Sequence, residues 1–206
     1  MNNVMNEKKT IIVYTDGSCF NNGKKCATGG IGIHFPNGEL DDLSLPLDNP
    51  PITNQRAELS AIHTALKYIR RELGLVDKHV IIKTDSLYSI NCLTKWVKGW
   101  IKNHWKTSKG EPVLNQDYIK IIYVYLQKYD IEFVHVDAHT GGDDYDSIHN
   151  AIADELAVAG TKSNKKCFDP NLNLNTKPKN KDFIINNRTS IHKNTPIRVK
   201  LIKNNE

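Results

Sequence analysis

Three acidic residues stand where strands and a helix begin or end, in surroundings suited to holding a metal ion. Asp16 follows the β-branched and aromatic run IIVYT and precedes Gly, Ser and Asn in TDGSCFNNG. The run reads as a buried strand, so Asp16 is expected where that strand leaves the core and the chain turns. Asp85 closes a second such run, HVIIKTDS, and Glu58 lies one turn before Ile62 on the apolar stripe of a helix. Singly, each acid has a plain structural reading. Asp-Ser after a strand caps a helix, and an acid in a first helical turn is favoured by the helix dipole. Together, three carboxylates aimed at one sheet edge repel one another unless a cation neutralises them. Hard oxygen donors without His or Cys partners suit Mg²⁺ or Mn²⁺ rather than Zn²⁺.

The elements that must position these acids follow from periodicity. KTIIVYT, GGIGIHF and a run near ELDDLSLPL read as an antiparallel meander, with turns at Gly23 and Pro36-Asn37-Gly38. From Asn54 to about Leu73, Ile62, Ala65, Leu66, Ile69 and Leu73 recur at helical spacing, with Thr53 or Asn54 as N-cap. HVIIKT is a fourth strand, SLYSINCL and NQDYIKIIYVYLQKY are helices, IEFVHV is a fifth strand, and SIHNAIADELAVAG is a last helix. In that helix Ile148, Ile152 and Leu156 form the apolar stripe; Asp154 and Glu155 both lie off it, and spacing does not choose between them. Strand and helix alternate in the second half, which implies parallel neighbours. The expected fold is α/β, a five-stranded mixed sheet flanked by helices.

The chain has 206 residues, 39% of them hydrophobic, enough for one domain and an extension. No apolar run approaches the roughly 18 residues of a membrane span, and MNNVMNEKK lacks a signal-peptide core. A soluble, intracellular protein, cytoplasmic or nuclear, is expected, with Cys19, Cys26, Cys92 and Cys167 as free thiols. The net charge of +5 is unevenly placed: residues 1–160 carry 17 Lys/Arg against 20 Asp/Glu, residues 161–206 carry 11 against 3. The Asn- and Lys-rich end, apolar mainly in DFIIN and PIRVKLI, reads as a poorly ordered basic extension, 161–206, after a domain over 10–160 and a short N-terminal extension, 1–9.

Trp96, Trp100 and Trp105 fall in one segment with Lys95, Lys98, Lys102, Lys106 and Lys109, and no acid occurs from Ser86 to Gly110. Basic residues interleaved with aromatics hold a phosphate backbone against a stacking platform. Trp96 and Trp100, four apart, would also suit a core-facing stripe. The lysine excess favours a nucleic-acid-binding protrusion.

TDGS, TNQRAEL, TDS, WVKGWIKNHWKTSKG, AHTG and ADELA, in this order over roughly residues 10–160, resemble type 1 ribonuclease H, and NQRAE with the W-x-x-x-W run resembles its eukaryotic form. The resemblance implies endonucleolytic hydrolysis of the RNA strand of RNA–DNA hybrids, leaving 5′-phosphate and 3′-hydroxyl ends. It implies a tetrad of Asp16, Glu58, Asp85 and Asp154 holding two Mg²⁺ ions, with Mn²⁺ able to substitute, roughly 4 Å apart as in two-metal sites generally. Asp154 rather than Glu155 is chosen by the ADELA match alone. His139 occupies the family's place for a histidine that assists proton transfer or product departure. The segment GGDDYDSIHNAIA after it is several residues longer than the family pattern and adds Asp143, Asp144 and Asp146.

For the RNA strand, short donors and acceptors must meet successive 2′-hydroxyls. Gly17, Ser18, Cys19 and Asn22 after the first acid, and Asn54 and Gln55 at the helix start, are assigned these contacts, with Gly17 letting nucleic acid approach closely. For the DNA strand, Trp96 belongs to the platform, Trp100 and Ser108 match channel positions, and Thr53 and Asn115 match a phosphate pocket. That pocket has Pro51 where the family often has Arg. The expected partner is a hybrid, bound by a monomer away from any membrane. Another nuclease of this fold, such as a DDE transposase or a reverse-transcriptase fragment, and a non-catalytic hybrid-binding module are the alternatives. Asn22, Asn54, Gln55 and the tryptophan run argue against the first, and the presence of all four acids against the second.

Overall fold

Ile11 and Val13 are fully buried on one face of the first strand, and Tyr14 is fully buried on the other, so this strand is covered on both sides. The computed structural model of the chain describes residues 8–138 and 142–163 and the backbone of 198–201. Strands β1 (Lys9–Phe20), β2 (Thr28–His34) and β3 (Leu43–Leu47) form the antiparallel meander, followed by helix α1 (Asn54–Glu72) and β4 (Lys78–Thr84). Helix α2 (Leu87–Asn91), a π-helical turn over Cys92–Trp96 and helix α3 (Val97–Lys102) run on into α4 (Gln116–Lys128), β5 (Asp130–His135) and α5 (Tyr145–Ser163). The strand order is β3-β2-β1-β4-β5, with β1, β4 and β5 parallel, as the alternation of elements implied.

A sixth strand, β6 (Arg198–Leu201), pairs in parallel with β5 from Glu132↔Arg198 to His135↔Leu201. It comes from PIRVKLI in the basic extension, to which no element had been given. Residues 164–197, with Cys167, lie outside the described residues; Cys19, Cys26 and Cys92 are free thiols.

β1 does not stop at Asp16. It continues to Phe20 because β2 keeps pairing with it, Asp16 opposite Gly32 and Phe20 opposite Thr28. Its parallel ladder with β4 ends earlier, at Tyr14↔Lys83. Asp16 therefore stands two residues past the last pair with β4 while β2 still holds it, which opens a notch at the sheet edge without ending the strand.

The two helical layers are set by what the strands leave room for. Leu59, Ile62, Leu66 and Ile69 of α1 join Ile11, Val13, Ile31, Ile33, Val80, Ile82 and Phe133 in the main core. On the opposite face α5 lies against Gly30 and Gly32: a Cβ at Gly32 would stand 2.0 Å from the carbonyl oxygen of Ala153, and one at Gly30 would stand 2.1 Å from the amide nitrogen of Thr161. The buried side of α5 is accordingly Asn150, Ala153, Ala157, Gly160 and Thr161, all small or medium, and not the expected Ile148, Ile152 and Leu156 stripe. Ile148 is exposed. Backbone-to-backbone packing over glycines selects small residues, which an apolar-stripe search passes over.

Candidate active site

Helix α1 starts where Thr53 caps it, its side-chain oxygen accepting from the Arg56 amide at 3.2 Å. The first turns of α1 then pass directly over Gly17, where a Cβ would lie 2.2 Å from the Glu58 nitrogen and 2.4 Å from the Ala57 carbonyl carbon. On the side where a Cβ would lie, the space at Gly17 is filled by the helix, while its backbone lines the groove. Its lack of a side chain is what lets Glu58 come down beside Asp16.

Asp16, Glu58 and Asp85 each offer a carboxylate oxygen within 4.8 Å of the others. Asp16 and Glu58 are each only 6% exposed, so their charges meet little water. Burial first, and then the charges of Asp85 and Asp154, push the Asp16 carboxyl up to about 7, against a hydrogen bond from the Gly17 backbone. Glu58 is pushed well above the ordinary carboxylate range, by burial and then by Asp16 and Asp85. Its Oε2 is buried with no hydrogen-bond partner. An orphaned oxygen among crowded hard donors fits a divalent cation of the Mg²⁺ type.

Asp154 lines the same groove as these three, although its carboxylate stands outside the 4.8 Å cluster. Asp154 is half-buried beside the core-facing Ala153, whereas Glu155 is exposed. His139 lies outside the described residues. Of the extra acids, Asp144 caps α5, its Oδ1 accepting from the Asp146 and Ser147 amides at 3.1 Å each, and Asp146, in the first turn of α5, is paired with Lys83.

The groove is also lined by Gly17, Ser18, Cys19, Asn54 and Gln55, so five of the six residues assigned to the RNA strand flank the acids. Asn22, the sixth, sits in the exposed turn after β1, with its side-chain oxygen 3.4 Å from the Asn54 amide and 3.9 Å from the Cys19 sulfur. The second set stands to one side. Trp96 is 43% exposed and meets Trp100 edge-on at 5.8 Å and Tyr88 at 6.2 Å. Trp100 leans on the main core, so the pair divides between the two readings, one ring supporting and one presented. Trp105 likewise packs on the core, under the Lys120 ammonium at 4.6 Å. Ser108 is exposed in the turn that follows.

Arg56 and Tyr88 are the residues that sequence reasoning passed over. Arg56 is 4% exposed; its guanidinium bonds both Asp117 carboxylate oxygens, the Asn49 carbonyl at 3.0 Å and the Asn115 side-chain oxygen at 3.3 Å. Asn115, at a left-handed φ of 55°, donates from its amide to the Tyr88 hydroxyl at 3.4 Å. Arg56 thereby ties Asn115 to the turn that carries Thr53, and Tyr88 joins that pocket to the acid groove it lines. Arg56 was visible inside NQRAE, but an arginine in a helix's first turn has no sequence signature of burial.

Asp16 on β1, Asp85 just after the parallel strand β4 and Glu58 on α1 bring an acidic cluster that could hold a metal ion to one edge of an α/β domain. The RNase H family model matches residues 8–162. A protein of Acanthamoeba polyphaga mimivirus, "Probable ribonuclease H", is 43% identical over 200 residues, 96% of this chain and 87% of that protein. Ribonuclease H1 of Mus musculus is 37% identical over 157 residues, 76% of this chain and 52% of that protein, so the chain spans about half of it. A structure of the foamy viral protease-reverse transcriptase in complex with RNA/DNA hybrid is similar at a TM-score of 0.55 and 27% identity, over 75% of this chain and 20% of that one. The chain belongs to the ribonuclease H family. Among the described residues no helix is long and apolar enough to cross a membrane.

Proposed function

We propose that this chain cuts the RNA strand of RNA–DNA hybrids endonucleolytically, leaving 5′-phosphate and 3′-hydroxyl ends. The observation that carries the reading is the closure of Asp16, Glu58 and Asp85 within 4.8 Å, with Asp154 in the same groove, in a ribonuclease H family chain. These four acids would hold two Mg²⁺ ions, which when bound supply Lewis-acid activation of the attacking water and of the departing 3′ oxygen.

The chain's own residues supply the rest. Backbone groups from Gly17 to Cys19, with Asn22, Asn54 and Gln55, face the RNA strand and distinguish it by its 2′-hydroxyls. Trp96, backed by Trp100, offers the DNA strand a ring, with Ser108 beside that channel. Thr53 accepts from Arg56 and so keeps its hydroxyl proton to donate to a phosphate, and Asn115 keeps a second amide hydrogen for the same oxygen. His139 is assigned a proton-transfer role. The 161–206 extension, 11 Lys/Arg against 3 Asp/Glu, adds affinity by counterion release.

The test is cleavage of an end-labelled hybrid beside single-stranded RNA, duplex RNA and duplex DNA, with Mg²⁺ or EDTA, followed by chemical analysis of the ends. Mg²⁺-dependent cutting confined to the hybrid's RNA strand, with 5′-phosphates, is expected. Equal cutting of duplex DNA or single-stranded RNA would overturn the assignment.

A further inference from the structure

Directly beneath the acid cluster lies a lysine whose charge is turned away from it. Lys83 and Tyr14 are paired neighbours on β4 and β1, each two residues before a clustered acid, Asp85 and Asp16. Tyr14 and Asp16, two apart within β1, share a face about 7 Å apart, and Asp85 is the first residue after β4. A lysine on a flexible four-carbon stem at that distance can reach up to the carboxylates as readily as away from them.

It reaches away. The Lys83 ammonium pairs with Asp146 in the first turn of α5, and the Tyr14 hydroxyl donates to the same carboxylate at 2.5 Å. The Lys83 side chain is 14% exposed, with its ammonium 5.3 Å from the Tyr14 ring and 5.9 Å from the Tyr145 ring. Asp146 is in turn placed by Asp144, which caps this turn of the helix. The nearby charges that act on Asp16 and Glu58 are those of other carboxylates.

We propose that Asp146 is a positioning residue that holds the Lys83 ammonium out of the acid cluster and so keeps it from competing with a divalent cation there. The inference rests on the reading that those acids hold such a cation. Without the Asp146 charge, the anions left around the ammonium are Asp144, which acts on the same Tyr14, and the acids two residues along each chain segment, Asp16 and Asp85. An ammonium there satisfies the same lone pairs that a cation needs, and neutralises the repulsion that makes the site attract one. The acids added by the longer segment before α5 thus serve the metal site without belonging to it.

Calorimetric titration of Mg²⁺ and of Mn²⁺ into the nucleic-acid-free full chain tests this, with thermal melts to confirm folding. Asp146→Asn is expected to weaken binding about tenfold, the equivalent of a one-unit pKa effect from an added ammonium. Lys83→Met is expected to bind no more weakly than wild type, and Asp146→Asn with Lys83→Met to return to within about twofold of it. In turnover assays the half-saturating Mg²⁺ of Asp146→Asn rises while KM for the hybrid stays unchanged. A mere structural clasp would make Lys83→Met as damaging as Asp146→Asn and the double variant no better; either result overturns the inference. Should Asp146→Asn not fold, Asp146→Ser takes its place, and Lys83→Met alone still decides, since a tenfold loss in it contradicts the proposal. Wild type that takes up neither ion overturns the metal reading itself, whereas wild type that binds while Asp146→Asn binds equally overturns this inference alone.

Discussion

Replacing Asp85 by Asn is expected to stabilise the metal-free protein while destroying its use of metal. Folding raises the Asp16 carboxyl from 3.8 to about 7, so the native state holds this proton more tightly than the unfolded chain does. The stability from that proton is complete below about pH 4 and is lost as the pH rises through about 7. At 1.36 kcal/mol per unit the loss is roughly 4 kcal/mol, with no solvent discount since Asp16 is 6% exposed. Glu58, also raised, adds in the same direction. The Asp85 carboxylate, within 4.8 Å, is the largest charge acting on Asp16 after burial; two unit charges at that separation repel by about 3 kcal/mol at an effective dielectric of 20. Asp85→Asn should therefore raise the melting temperature in EDTA at pH 8 by several degrees, at about 2–4 °C per kcal/mol for a chain of this size. It should also flatten the decline between pH 5 and 9. Added Mg²⁺ should reverse the order, stabilising wild type more than the variant. Melts followed by circular dichroism across that range are sufficient. A variant less stable than wild type at pH 8 in EDTA, with an unchanged slope, would refute the like-charge account of the site.

Other parts of the account have their own tests. Gly32→Ala puts a methyl group 2.0 Å from the Ala153 carbonyl oxygen and should destabilise by about 3 kcal/mol or more, read by urea unfolding, whereas Gly99→Ala, with open space around it, should not. Trp96→Ala removes an exposed ring and should weaken hybrid binding about tenfold, with the melting temperature unchanged to within a degree or two; equal affinity would remove Trp96 from the interface. Truncation after Ser163 removes most of the basic extension, β6 included, and should flatten the salt dependence of hybrid binding, read as the slope of log K against log salt; an unchanged slope would make the extension a passenger.

Much of the site was legible because its parts are local. The run IIVYT, with Ile11 and Val13, was legible as a buried strand, helical spacing placed Ile62, Leu66 and Ile69, and Thr53, one of the two N-cap candidates, caps α1. What sequence could not convey was contact between elements. GSCFNN reads as a turn by composition, yet β2 holds its first four residues, Gly17 to Phe20, in β1. Ile148, Ile152 and Leu156 had the spacing of a core stripe, but glycines on the facing strand bring the backbone of Ala153, Ala157, Gly160 and Thr161 against the sheet instead. The partners of Arg56 and of Lys83 lie 61 and 63 residues away in the chain, beyond any periodic signal. The β6 strand has four residues, too short to stand out of an Asn- and Lys-rich stretch.

The central claim is that the acids meeting at the sheet edge perform the chemistry on a bound hybrid. It is tested most directly by single-turnover cleavage of a labelled RNA–DNA hybrid by wild type and Asp85→Asn in Mg²⁺, with affinity for the same hybrid measured in parallel. The account predicts RNA-strand cleavage by wild type, loss of at least a thousandfold in the variant, equivalent to about 4 kcal/mol of barrier, and affinity retained within a few-fold. Cleavage by Asp85→Asn at a rate near wild type would contradict it.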